Sequence, residues 1–318
     1  MSLAARSIEA PSLPRAGASP LAVGLALVGV YVIWGSTYLG IRVTLETMPP
    51  LLMGAFRFLV AGALLFAWSA RRGPWRQDRL GWRQWLGTFL VGAALLFMGN
   101  GGVILAERTV PSGVVALVIA TVPLWMALIA RVGFGQRLRP LAILGLALGF
   151  GGVALLLESP GSGAIDPLGA AIAVVAPVFW ALGSVYSRRV SLPTRPLVAT
   201  AMQMLCAGGL YLVAGVAAGE LGRVHLSRVS GASALALVYL IIFGSLVGYS
   251  AYTWLLRVAP LSLVSTYAYV NPIVAVTLGW LILAEPVTIR TLLAGAIIVT
   301  AVALIVTARF RPAAPVRP

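Results

Sequence analysis

One charged side chain stands inside a long apolar stretch of this 318-residue chain. Arg57 falls about eight residues into the run 49–69, near the middle of a bilayer at 1.5 Å of helix per residue. A cation at that depth is costly and defaults to a functional residue. Two uses fit it. It can hold the carboxylate of a bound substrate, or it can bond backbone carbonyls of a neighbouring helix and fix the packing. No acid falls inside any apolar run to pair with it.

Uncharged polar residues within the apolar runs are more numerous. One run carries Trp34, Ser36, Thr37 and Tyr38, and a second carries Trp180 and Ser184 after Pro177. Asn100 sits in a Gly-Asn-Gly-Gly stretch, and Thr121 precedes Pro123. Tyr249 and Tyr252 share a run, and Tyr267, Tyr269 and Asn271 lead up to Pro272. Proline inside a helix frees a carbonyl and bends the chain. In a membrane such breaks survive where they line a cavity or are satisfied by neighbours. Pro123, Pro177 and Pro272 are therefore expected kinks. Trp34, Ser36, Tyr38, Arg57, Asn100, Thr121, Trp180, Ser184, Tyr249, Tyr269 and Asn271 are expected to contribute to a substrate cavity. Trp and Tyr walls would suit apolar and aromatic groups, with hydroxyls for polar ends. Trp75, Trp82, Trp85 and Tyr239, with Tyr252 and Trp254, read instead as an interfacial aromatic belt. Gln203 and Cys206 read as packing residues.

Catalysis finds little material. His225 is the only histidine and Cys206 the only cysteine, so disulfide scaffolds and Cys- or His-rich metal sites are excluded. Intramembrane proteolysis needs paired acids, a Ser–His pair or a metal motif, and the runs offer none. The chain is expected to be no enzyme and to carry no cofactor or metal. Proton pumps relay through embedded Asp, Glu or His. Glu107, Glu158 and Glu285 read as outer helix ends, so facilitated transport, or else coupling through such a peripheral acid, is expected rather than an embedded proton relay.

The elements that must position these residues are ten apolar runs, each near the roughly 20 residues that cross a bilayer. They are 20–41, 49–69, 84–105, 110–131, 140–157, 168–187, 196–217, 233–255, 260–283 and 291–308. Hydrophobic residues make up 60% of the chain and charged ones 10%, against about 25% charged in ordinary soluble domains. A soluble or disordered chain is excluded. So is a nucleic-acid binder, despite a net charge of +15, because the basic residues lie in short clusters between the runs.

All 23 basic residues are arginine. Arg57 lies in a run, and Arg42, Arg108, Arg223, Arg228 and Arg290 lie in one set of connecting segments with Glu46, Glu107, Glu158, Asp166, Glu220 and Glu285. Every other arginine lies in the opposite set, with both tails, against only Glu9 and Asp78. Basic residues flanking short loops mark the cytoplasmic side. Both termini are therefore expected in the cytoplasm of a bacterial inner membrane. The first run exceeds the 7–15 residues of a signal-peptide core and reads as a retained helix.

The halves resemble each other. Residues 52–65 align with 198–211 at an offset of 146, matching Ala55/Ala201, Leu59/Leu205, Ala61/Ala207, Gly62/Gly208 and Leu64/Leu210. At an offset of 149, Arg108/Arg257, Pro111/Pro260, Val115/Val264, Pro123/Pro272 and Val153/Val302 match. Five spans per half make the second copy enter from the other side. Inverted repeats of this kind are a transporter architecture with access alternating around a midplane site. The expected fold is all-α and polytopic, with a tail at 1–19, repeats at 20–158 and 168–308, a periplasmic linker at 159–167 and a tail at 309–318.

The segments WGSTYLGIR (34–42), FRFLVAG (56–62), PSGVVALVIATVPLW (111–125), APLSLVSTYAYVNPIVAVTLGWLILAEPVT (259–288) and GAIIVTAVALIV (295–306) resemble the drug/metabolite transporter superfamily, EamA type. The first repeat departs from the pattern at Gln136, which matches Glu285. The resemblance implies a ten-helix exporter of small metabolites, amino acids foremost, with the bilayer and a small-molecule substrate as its partners. A nucleotide-sugar or organic-phosphate exchanger of the same superfamily would need clustered cations, and only Arg57 is available. The sequence is also compatible with drug export, lipid flipping and a non-transporting scaffold. Gly145-x₃-Gly149 permits close helix approach, within the chain or between two copies. Monomer and homodimer both remain open.

Overall fold

A computed structural model describes residues 19–71, 80–135, 139–157 and 166–310. Gln136, Glu158, Trp75 and both tails, named above, lie outside these residues. The described residues form helices and connecting turns, with no strand among them. In chain order the helices are α1 (Pro20–Leu45), α2 (Pro50–Arg71), α3 (Trp82–Ala106), α4 (Ser112–Gly133), α5 (Pro140–Leu157), α6 (Pro167–Tyr186), α7 (Pro196–Ala217), α8 (Gly231–Val258), α9 (Tyr267–Leu283) and α10 (Ile289–Phe310). Nine are long and apolar enough to cross a bilayer alone. The tenth, α9, has 17 residues and is extended by a short turn, Leu261–Val264.

Local chemistry sets the starts. Five helices begin at a proline. Its fixed φ suits a first turn whose N–H would go unbonded anyway. Ser19, Asp166 and Ser230 cap α1, α6 and α8 by accepting from the N–H of Ala22, Gly169 and Ser233. Two further caps reach between repeats. Glu220 accepts from the N–H of Leu51 and Leu52 at the start of α2. Glu285 accepts from the N–H of Ser112 and Gly113 and from the Ser112 hydroxyl at the start of α4. A carboxylate at a helix N-terminus is favoured by both hydrogen bonding and the helix dipole.

The packing follows the inverted repeat. Helix α2 lies along α7, α5 along α10 and α4 along α9. Helix α1 packs on α8 and α9, as α6 packs on α3 and α4. The matched glycines Gly62 and Gly208 make the α2–α7 crossing possible. A Cβ at Gly62 would stand 3.0 Å from the backbone N of Leu205, and one at Gly208 2.9 Å from that of Leu59. Gly145 and Gly149 are likewise used within the chain, against Ala301, Ile305 and Leu124.

Irregular backbone also recurs. A π-helical stretch interrupts α3 at Ala93–Asn100 and α8 at Leu240–Tyr249, overlapping at the 149-residue offset. Helix α4 breaks after Ile119 and restarts at Val122. Ahead of α9 the chain breaks between Val264 and Tyr267. At both breaks a threonine hydroxyl donates to the carbonyl three residues back, Thr121 to Val118 and Thr266 to Leu263. The helices α4 and α9 also end alike. Gly135 (φ 64) and Ala284 (φ 51), again 149 apart, take the left-handed conformation that closes a helix.

The expected kinks are therefore refined. Pro123 stands in the first turn after the α4 break, where its missing N–H costs nothing. Pro177 and Pro272 lie inside unbroken helices. Tyr252 is fully buried and does not belong to an interfacial belt, whereas Trp82 and Trp85 are exposed.

The α2–α7 crossing generates a stability prediction. Alanine normally stabilises a helix over glycine. At Gly62 or Gly208 the clash is with backbone, so overpacking should dominate, and each alanine should cost about 1–3 kcal/mol. Gly209, on the same helix as Gly208, has nothing within 4 Å of its would-be Cβ, and Gly209→Ala should be neutral or stabilising. Thermal unfolding of the three variants in one detergent checks this; equal midpoints would contradict it.

Candidate functional site

Tracing the expected site residues onto the helices brings most of them to one place. A cavity between the repeats encloses about 610 Å³ of atom-free space, its open mouth included. Its walls include Trp34, Tyr38, Arg57, Asn100, Trp180, Tyr249 and Asn271 from the expected set. Thr37, Phe58, Gly99, Gly244 and Tyr267 add to them. The irregular parts of α3 and α8 supply Leu96, Gly99, Asn100, Gly244 and Tyr249. Non-standard helical turns concentrate where a helix meets function, and here they face the centre of the bundle.

Arg57 is 3% exposed. Its Nε donates to the Ser245 hydroxyl at 2.9 Å and its Nη1 to Asn100 Oδ1 at 3.4 Å. The guanidinium carbon stands 4.8 Å from the Phe58 ring centroid, in cation–π range. Both polar partners are neutral, so the positive charge is solvated but not cancelled. A planar guanidinium has more N–H groups than these two bonds use, and it lines the cavity.

Four aromatic rings from four helices lock together at the cavity wall. Trp34 meets Trp180 edge-on with centroids 5.3 Å apart, Tyr252 at 4.8 Å and Tyr267 edge-on at 5.5 Å. Trp34 Nε1 donates to the Gly244 carbonyl at 3.2 Å, and Trp180 Nε1 to the Tyr252 hydroxyl at 3.2 Å. The two tryptophans are counterparts at an offset of 146, so the contact joins the repeats about their symmetry axis. Behind the wall, Tyr249 donates to Gln203 Oε1 at 2.6 Å and Tyr211 to the Leu96 carbonyl at 2.9 Å. The latter bond adds to the backbone bonding of a carbonyl within the irregular stretch of α3, which also accepts from the Gly101 N–H. Gln203 is thus more than filler.

Four expected residues do not line the cavity. Ser36 bonds the carbonyls of Val32 and Ile33 and the Tyr239 hydroxyl, on the side of α1 that meets α8. Thr121 is consumed by the α4 break. Ser184 bonds the Trp180 carbonyl and the Tyr252 hydroxyl at 2.7 Å, steadying the ring that holds Trp180. Tyr269 donates to the Val302 carbonyl of α10. Asn271 reaches the cavity and, with its amide nitrogen turned to donate, bonds the carbonyls of Tyr31 and Tyr267, tying α1 to α9.

Glu107 stands at a helix end, as expected, but the sequence did not reveal that it is buried. This residue follows α3 directly and is 0% exposed. Neither carboxylate oxygen has a hydrogen-bond partner among the described residues. Burial raises its carboxyl well above the ordinary range, the charge of Glu285 adds to the rise, and Arg42 and Arg57 oppose it. Glu107 is thus a peripheral acid of the kind that could couple transport to protons. Its counterpart at the 149-residue offset is Leu256, 5% exposed. An apolar residue at the matched position is the sequence signal that marks Glu107 as buried. Asp166 differs: the Gly169 N–H and the Thr109 hydroxyl hold it below the usual carboxylate value.

Comparison with known proteins agrees with the fold and the repeat. The sequence profile of the EamA-like transporter family matches residues 21–158 and again 167–307. The inner membrane transporter YedA of Escherichia coli is 42% identical over 293 residues, covering 92% of this chain and 93% of the relative. An Escherichia coli protein named "Probable amino-acid metabolite efflux pump" is 27% identical over 292 residues, covering 87% of this chain and 92% of that protein. A solved crystal structure aligns with a TM-score of 0.63 at 24% identity, covering 90% of this chain and 96% of the other. The chain is a multi-pass protein of a bacterial inner membrane and belongs to the EamA-like transporter family.

Proposed function

We propose that this transporter exports small zwitterionic metabolites, amino acids foremost, by alternating access around the central cavity. The observation that carries the reading is Arg57, a buried cation beside neutral partners in a cavity otherwise walled by uncharged side chains, aromatic, aliphatic, hydroxyl-bearing and amide. A substrate carboxylate would complete the charge pairing that Ser245 and Asn100 leave unmet. The ring cluster around Trp34 and Trp180 would receive an apolar side chain by area burial. A single cation fits one carboxylate better than a diphosphate, which calls for several donors. The relative named as an amino-acid metabolite efflux pump supports the substrate class and the direction. The arginine distribution supports termini in the cytoplasm.

Counterflow in proteoliposomes with labelled amino acids, nucleosides and nucleotide sugars tests the class. Amino acids should exchange, and exchange confined to nucleotide sugars would overturn the reading. A hydrogen bond involving a charged group is worth about 1.5–3 kcal/mol, and each 1.4 kcal/mol is tenfold in affinity. Arg57→Gln should therefore weaken binding of the free amino acid by roughly 10- to 150-fold. The methyl ester of the same amino acid should bind both forms alike.

The wall itself has a second test. Tyr252→Phe removes the oxygen to which the Trp180 indole donates. Leaving that part-buried N–H without its partner should cost about 1 kcal/mol of stability. Trp180→Ala should raise KM most for aromatic substrates and least for glycine. Thermal unfolding and side-by-side kinetics check the pair.

A further inference from the structure

Glu107 is the one fully buried acid among the described residues, and the cavity does not explain it. Its surroundings can be enumerated. Helix α1 presents Tyr38 and Arg42, α2 presents Arg57, and the segment after α9 presents Glu285. The Arg42 guanidinium donates to the backbone carbonyl of Glu107 and not to its carboxylate. Glu285 spends its oxygens on the start of α4. Asp166, before α6, is occupied by Thr109 and Gly169. No neighbour among the described residues therefore bonds the Glu107 side chain. An ionised carboxylate in that position would be buried without a hydrogen bond and only partly offset by the charges of Arg42 and Arg57, which is costly, and such groups tend to become neutral instead.

Its place in the fold gives this neutrality a use. Glu107 stands where α3, which lines the cavity, turns into α4, at the end of the bundle away from the chain termini. Its backbone carbonyl is already clasped by Arg42. The pseudo-equivalent clasp at the opposite end is Arg188 on the carbonyl of Ala259, after α8. There the residue matching Glu107 is Leu256. Among the described residues, only the Glu107 end therefore carries a buried carboxyl beside its clasp.

We propose that Glu107 is a proton-binding site of the transport cycle, protonated while this end of the bundle is closed and ionised when the end opens to water. On opening, the carboxyl O–H bond breaks, the proton passes to water on that face, and the carboxylate left behind faces the Arg42 guanidinium. On closing, a proton from the same face returns. The closed state holds its carboxyl above the ordinary range, so it is favoured at low pH. That advantage is lost as pH rises from the ordinary carboxyl value through the raised one. The inference rests on the alternating-access reading above but not on the identity of the cargo.

The full-length protein in lipid nanodiscs is the material for the test. Infrared spectroscopy at neutral pH should show a protonated carboxyl stretch that disappears in Glu107→Gln. Absence of that band from the parent would overturn the proposal. In a Cys206→Ser background, Val110→Cys places a thiol at a fully buried position three residues beyond Glu107. Its labelling by a membrane-impermeant maleimide should rise severalfold from acidic to alkaline buffer, relative to the same thiol in a Glu107→Gln protein. That ratio removes the thiol's own titration, and a flat ratio would overturn the proposal. Should Glu107→Gln fail to fold, Glu107→Asp must shift both the band and the labelling midpoint, and no shift would count against it. Neither readout needs a substrate. A failed counterflow experiment with amino acids would therefore reject the cargo and leave this result standing.

Discussion

Backbone groups in a bilayer must be bonded within the protein. That constraint explains where this bundle departs from regular helix. The π-helical stretches of α3 and α8 and the breaks at Thr121 and Thr266 all lie on central helices. At each, a side-chain donor adds to the bonding of a carbonyl where the backbone pattern is irregular. Tyr211 takes that of Leu96, Trp34 that of Gly244, Thr121 that of Val118 and Thr266 that of Leu263. Part of this irregular backbone lines the cavity, where a membrane protein tolerates it.

The peripheral pairs answer a different need. Helices α2 with α7 and α5 with α10 cross closely and hold the repeats together. Small residues, with Gly62 and Gly208 at the crossing of α2 and α7, let these backbones approach. The central helices instead meet through large rings and side-chain hydrogen bonds. Closely crossing flanks and a centre joined through side chains suit a carrier in which one set of helices moves against another.

Much of this was legible in the sequence because hydropathy and charge are one-dimensional signals. The ten spans, the repeat and the matched glycines could all be read by counting. Seven of the eleven expected site residues line the cavity because polar residues inside apolar runs have few other places to go. Ser36, Thr121, Ser184 and Tyr269 fail the same reasoning. A serine or threonine on a helix can satisfy itself on a carbonyl three or four residues back, and a tyrosine can reach a neighbouring helix. Their types did not reveal which face they occupy. Glu107 escaped for a sharper reason: one residue separates it from the span, and burial at a helix end depends on what covers that end. The left-handed close of α4 and α9 was hidden too, because Ala284 does what glycine does at Gly135.

The arginines end with more to do than orient the chain. Arg42, Arg188, Arg195, Arg257 and Arg290 each donate to a backbone carbonyl in another part of the chain. A guanidinium stays charged across the whole biological range. With one histidine, one cysteine and no lysine, these fastenings do not loosen as acidity changes. The molecule is almost unbuffered near neutrality, so a single carboxyl gaining or losing its proton would stand out as the chief electrical event in an otherwise fixed charge frame.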